Sequence, residues 1–123
     1  MDALLNYAVA VADAAALLGQ ADSAMKIADT DVWLFTNDGS ISAWERADRY
    51  LTRAGGDLAL AEGKLARARL NIDSAVAPYS NVTGGRSAVA AHFQSEVKRL
   101  NTKLTKLQRK LDEYRDEIGW EAP

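Results

Sequence analysis

Between Ser42 and Ala77 the apolar residues recur with almost no error. Trp44, Leu51, Leu58, Leu65 and Ile72 stand seven apart, as do Ala47, Ala54, Ala61, Ala68 and Ala75, and the two series interleave by three and four. This is a heptad seam with a large residue at each a position and alanine at each d, and it predicts a helix over about 42–77. Gly55, Gly56 and Gly63 fall at e, f and f, off the seam. Each costs a helix about 1 kcal/mol relative to alanine, so a bend or a close neighbour is expected near Gly55-Gly56. Pro78 stops the helix, because it has no N–H and its ring clashes with the preceding turn. The stretch "PYSNVTGGR" that follows is rich in turn formers and reads as a tip loop over 78–86.

A second seam follows the loop. Phe93, Val97, Leu100, Leu104, Leu107, Leu111, Tyr114 and Ile118 alternate by four and three without a miss. Ser87 is placed to cap this helix, which is expected over about 87–118 with Gly119 as its stop. Two helices of about 50 Å at 1.5 Å per residue, joined by so short a loop, must lie antiparallel. The expected fold is therefore all-α, a long antiparallel coiled-coil hairpin. Alanine at every d position should draw the two axes to the short end of the usual 8 to 10 Å, roughly.

The first forty residues show less contrast. Asp2 can cap a helix over about 3–18, with Gly19 as its stop. Leu4, Ala8, Val11, Ala15 and Leu18 form one stripe; Leu5, Val9, Ala12 and Ala16 form a second beside it. Polar residues are confined to a narrow line at Asp2, Asn6, Asp13 and Gln20. A helix apolar around most of its circumference needs more than one neighbour. Either it folds back into the groove of the hairpin to make a three-helix bundle, or it meets another subunit, and its broad apolar surface favours assembly. The 21–40 segment is expected to be irregular: a short helix started by Asp22 or Ser23, then an extended or 3₁₀ "VWLF" whose Trp33 and Phe35 plug the helices or reach a partner, then a turn at Asp38-Gly39. Asp2 stands where a signal peptide needs positive charge, and Asn6 and Asp13 interrupt the apolar run before it reaches the roughly 18 to 20 residues of a membrane span. The expectation is one domain over 1–123, with an N-terminal part (1–40) and a hairpin (41–119), in a cytoplasmic protein with no membrane role.

Composition removes several chemistries. The 123 residues include no cysteine and one histidine, and the net charge is −2. Disulfides, thiolate metal sites and cysteine nucleophiles are excluded, and His92 has no second imidazole with which to build a zinc-type site. Asp112, Glu113, Asp116, Glu117 and Glu121 crowd the end of the last helix, but without the ligand order of a calcium loop or a nucleophile beside a general base. Gly84-Gly85-Arg86-Ser87 lacks the Gly-Lys-Ser/Thr of a phosphate loop. The sequon Asn81-Val82-Thr83 has no secretory context. No catalytic, cofactor or metal residue is assigned, and a non-enzyme is expected.

Charge is more informative. Lys98, Arg99, Lys103, Lys106, Arg109 and Lys110 lie between Val97 and Leu111 with no acid among them, whereas the first 34 residues set five aspartates against Lys26. Segregation of this kind suits contact with an acidic surface or with the acidic end of a neighbouring copy. Nucleic acid is the weaker alternative, since the band carries no interleaved aromatic residues. Candidate partner contacts are thus Leu5, Val9, Trp33 and Phe35 together with the six basic residues.

The stretch "PYSNVTGGRSAVAAHFQSEVKRLNTKL", a Gly-Gly-Arg-Ser turn leading into leucine heptads, resembles the small head–tail joining proteins of tailed bacteriophages over about residues 79–107. That resemblance implies a short α-rich virion component, such as a connector or adaptor, that assembles with copies of itself or neighbouring virion proteins. It would be cytoplasmic during assembly and then part of the particle. The long 42–77 arm and the N-terminal helix depart from that pattern.

Overall fold

The computed structural model describes residues 2–79 and 85–119. Three helices make up the described chain: α1 (Asp2–Asp38), α2 (Ile41–Val76) and α3 (Gly85–Glu117), with one 3₁₀ turn at Ala77–Tyr79 after α2. The fold is all-α and its long antiparallel hairpin, α2 with α3, is present.

Polar contacts at several levels fix the directions. Asp13 meets Lys64 at 3.5 Å and Asp31 meets Arg46 at 3.1 Å, so α1 and α2 run antiparallel. The Tyr7 ring stacks on Phe93 with centroids 4.2 Å apart, and the Tyr114 hydroxyl donates to Asp29 at 2.7 Å, so α1 and α3 run parallel. The Trp44 indole N–H donates to the Ile118 carbonyl at 2.9 Å, joining the start of α2 to the end of α3. The result is an up–down–up bundle.

Four expectations are corrected. First, α1 does not stop at Gly19, and 21–40 is not irregular: one helix runs from Asp2 to Asp38 and "VWLF" is part of it. A mid-helix glycine costs only about 1 kcal/mol, whereas Leu18, Ala21, Met25, Ala28 and Val32 continue a fully buried line across it. The turn at Asp38-Gly39 is where the sequence put it. Gly39 adopts φ 67° and its N–H donates to the Phe35 carbonyl at 2.9 Å, closing α1, while the Ser40 hydroxyl accepts from the Ala43 N–H at 3.2 Å and opens α2. Second, α3 begins at Gly85, so Ser87 lies inside its first turn and is not its cap. The tip residues 80–84 lie outside the described residues, including the Asn81 sequon and Gly84.

Third, the buried line of α1 is Tyr7, Ala10, Ala14, Leu18, Ala21, Met25, Ala28 and Val32. Of the stripes read from the sequence, Leu18 is buried and Leu4 and Val11 are half-buried, while Ala8, Ala15 and the whole of Leu5, Val9, Ala12 and Ala16 are exposed. Fourth, α1 packs into the hairpin against both helices, and its contact with α2 is the most extensive between any two of the described helices. The alanine series of α2 was expected against α3. Instead the grooves show α1 beside the Lys64, Arg67 and Asn71 edge of α2, and α3 beside the Arg69, Ile72 and Asp73 edge. On a helical wheel the d alanines of α2 turn toward α1 and the a residues toward α3.

Candidate docking surface

The seam residues named from the sequence lie in one core: Ala47, Leu51, Ala54, Leu58, Ala61, Leu65, Ala68, Ile72, Ala75, Val97, Leu100, Leu104, Leu107, Leu111, Tyr114 and Ile118 are buried, and Trp44 and Phe93 are half-buried against them. Among the partner candidates, Phe35 is half-buried and packs on the core. Leu5 (62% exposed), Val9 (49%) and Trp33 (57%) are turned to water.

The exposed apolar residues of α1 follow from its alanine-rich sequence. Because alanine dominates both the inner and the outer face, burial of the inner line leaves Leu5, Ala8, Val9, Ala12, Ala15 and Ala16 contiguous on the outside. Only 22% of the most apolar 18-residue window of this helix is buried. By length and composition α1 would also suffice to cross a membrane, the sole such helix among the described residues. Asn6 and Asp13, expected to interrupt the apolar run, still leave α1 with a stretch this apolar.

Two tyrosines secure α1 to α3 from below this surface. The Tyr7 hydroxyl donates to Glu96 at 2.6 Å and to the Phe93 carbonyl at 3.3 Å. Burial pushes the Tyr7 phenol well above its ordinary value, and the Glu96 bond and charge push it further. Burial does the same to Tyr114, aided by its bond to Asp29 and by the charges of Asp29, Glu117 and Asp22. Both phenols are therefore neutral donors at working pH, positioned to hold helices together.

The basic band divides between faces. Arg99 lines the groove between α1 and α3, and Lys103, Lys106 and Lys110 continue its line by four, three and four. Lys98 lines the groove toward α2 instead, and Arg109, three turns further on, falls on that same side of α3. Arg99, Lys103 and Lys106 make no ion pair among the described residues, and Lys110 sits 5.8 Å over the Tyr114 ring. Glu96 is already engaged by Tyr7, and Asp22 and Asp29 of α1 lie close enough to Tyr114, under Lys110, to act on its phenol. The groove, about 460 Å³, has Leu4, Ala8, Val11, Ala12 and Ala15 as its floor on α1. Sequence reasoning found the cations but missed this alanine floor. The spacing of Ala14, Ala21 and Ala28 with Leu18, Met25 and Val32 would have shown which side of α1 turns inward. Among the described residues, the carboxylates at the end of α3 form no cluster able to hold a metal ion, and His92 is exposed.

No family model, curated protein or solved structure matches the chain.

Proposed function

We propose that this chain is a non-enzymatic assembly protein, a three-helix rod that docks on protein neighbours through the outer face of α1. The neighbours are copies of itself or parts of a larger particle, and the resemblance at residues 79–107 points to a phage virion as the setting. The observation that carries the reading is the contiguous exposed surface of Leu5, Ala8, Val9, Ala12, Ala15 and Ala16. Burying apolar surface contributes about 25 cal/mol per Å², and a face this continuous marks an interaction site more often than scattered exposure does.

A membrane is the less favoured cover. Asp29 and Asp31 of α1 are engaged with Tyr114 and Arg46 of the other helices. A spanning α1 would have to leave those partners and carry Asp13, which meets Lys64 here, into lipid at about 2.5 to 3.5 kcal/mol near the centre.

Native mass spectrometry and sedimentation of the wild type and of a Leu5→Asp/Val9→Asp variant test the proposal. The wild type is expected to self-associate or to co-sediment with its native particle. The variant should lose this with an unchanged circular dichroism spectrum, because both positions are exposed. A wild type that stays monomeric at high concentration and fails to join its particle overturns it.

A further inference from the structure

We infer that the edge where α1 meets α2 receives an amphipathic helix of another protein, one whose apolar side is bordered by carboxylates two heptads apart. The inference rests on the assembly reading above and names the partner's chemistry.

Exposed apolar side chains concentrate on this edge. Leu5, Val9 and Ile27 of α1 are 62%, 49% and 51% exposed, and Leu60 of α2 is 59% exposed. Two hollows set the α1 residues against cations of α2. In the first, about 400 Å³, Leu5 and Val9 share the lining with Lys64 and Arg67. In the second, about 510 Å³, Ile27 shares it with Tyr50 and Arg53, over a floor of Ala16, Gly19 and Ser23. Leu60 stands seven residues from each arginine, so Arg53, Leu60 and Arg67 form one column of α2, with Leu60 between the two hollows. From Leu5 to Ile27 the edge is about 33 Å long at 1.5 Å per residue.

The charge on this edge is unbalanced. Asp13 is engaged by Lys64 at 3.5 Å and Asp31 by Arg46 at 3.1 Å. Arg49, Arg53 and Arg67 are exposed and make no ion pair among the described residues, and half-buried Asp57, one turn beyond Arg53, makes none with it. A helix lying along the edge would cover Leu5, Val9, Leu60 and Ile27 with its apolar side. Carboxylates about 21 Å apart along it, two heptads at 1.5 Å per residue, would meet Arg53 and Arg67, whose planar forks suit them.

Other occupants match less well. A second copy turned antiparallel about Leu60 sets Arg53 opposite Arg67, and like charges across an interface oppose pairing. A parallel copy sets these arginines over Leu5, Val9 and Ile27 instead of over carboxylates. An anionic bilayer would meet the arginines, yet it is flat against a hollowed edge and would press Asp13 and Gln20 toward its apolar layer. A nucleic acid backbone would lay phosphates on exposed leucine, valine and isoleucine.

The test uses the full chain and a labelled synthetic helical peptide of about 21 residues, or ~32 Å, with leucines along one side and glutamates two heptads apart beside them. Fluorescence anisotropy should show binding that weakens at least about threefold between roughly 50 mM and 500 mM salt, since the pairing charges are exposed. An Arg53→Glu/Arg67→Glu variant should lose the glutamate peptide by about tenfold or more and gain a peptide of the same design carrying lysines, with its circular dichroism unchanged. A Lys103→Glu/Lys106→Glu variant, altered on α3 instead, should bind the glutamate peptide as the wild type does. Equal binding of both peptides by the wild type overturns the inference, as does an equal loss in the two variants. So does tighter binding to phosphatidylserine vesicles or to duplex DNA than to the glutamate peptide, or no peptide binding at low salt. If Leu5→Asp/Val9→Asp abolishes assembly while Arg53→Glu/Arg67→Glu leaves assembly and peptide binding intact, the assembly reading stands and the acidic-helix inference falls.

Discussion

α2 meets its two neighbours by different means. Toward α1 it offers alanines, and α1 answers with Ala10, Ala14, Ala21, Ala24 and Ala28, so the two backbones approach closely. Toward α3 it offers Leu51, Leu58, Leu65 and Ile72, and α3 answers with Val97, Leu100, Leu104, Leu107 and Leu111, larger side chains that hold two axes further apart. One heptad pattern thus serves two interfaces, one stabilised by proximity and the other by side-chain volume. The first should fail when volume is added and the second when it is removed.

Removing volume from the leucine side should have the largest effect. Leu104 is 4% exposed at the centre of α3, and Leu104→Ala should lower stability by about 2 to 5 kcal/mol, as buried large-to-small changes do. Urea denaturation measures this; a loss under about 1 kcal/mol would mean that α3 is loosely seated. Adding volume to the alanine side comes next. Ala61 is fully buried, and Ala61→Leu should cost about 1 to 3 kcal/mol by overpacking. The same change at exposed Ala66 should be close to neutral. Equal melting curves for the two variants would contradict a close α1–α2 approach.

The tyrosine bonds give a pH dependence confined to alkali. Folding raises the pKa of Tyr7 and Tyr114 above the ordinary phenol value of about 10. The unfolded chain therefore loses these protons first, and the stability they confer, complete below pH ~10, declines as pH rises past it toward the folded values. Urea midpoints should be flat from neutral pH to about 9 and fall beyond it, less steeply in Tyr7→Phe. A fall that begins below pH ~9 would point to other groups.

The smallest effect separates two glycines. A Cβ at Gly63 would meet nothing within 4 Å, whereas one at Gly55 would stand 2.8 Å from the Arg115 guanidinium and 3.5 Å from Leu111. Gly63→Ala should therefore stabilise by up to about 1 kcal/mol, and Gly55→Ala by less, because Arg115 must shift. A larger gain at Gly55 would show that Arg115 does not hold that position in solution.

The sequence made the hairpin legible because α2 and α3 carry sharp contrast: their seams are apolar, their outer positions charged, and Pro78 and Gly39 mark the ends. The same reading failed along α1 for want of contrast. With alanine on both faces, the inner line of Tyr7, Ala14 and Ala21 looks no different from the outer line of Leu5, Ala12 and Ala16. Gly19 imitates a stop and Val32-Trp33-Leu34-Phe35 imitates a strand, yet burial of Met25, Ala28 and Val32 outweighs both local preferences. The cations of α3 were visible as a run, but the neighbours each one meets depend on where α1 lies. That could be known only once α1 was seen to continue past Gly19.

Backbone amide hydrogen exchange tests the central claim, a single unbroken α1 packed along the bundle, most directly. The account predicts that amides from Tyr7 to Val32 are as slow as those from Leu51 to Ile72, with no drop in protection at Gly19. Rapid exchange beginning at Gly19 and continuing through Asp38, beside a protected α2 and α3, would contradict it.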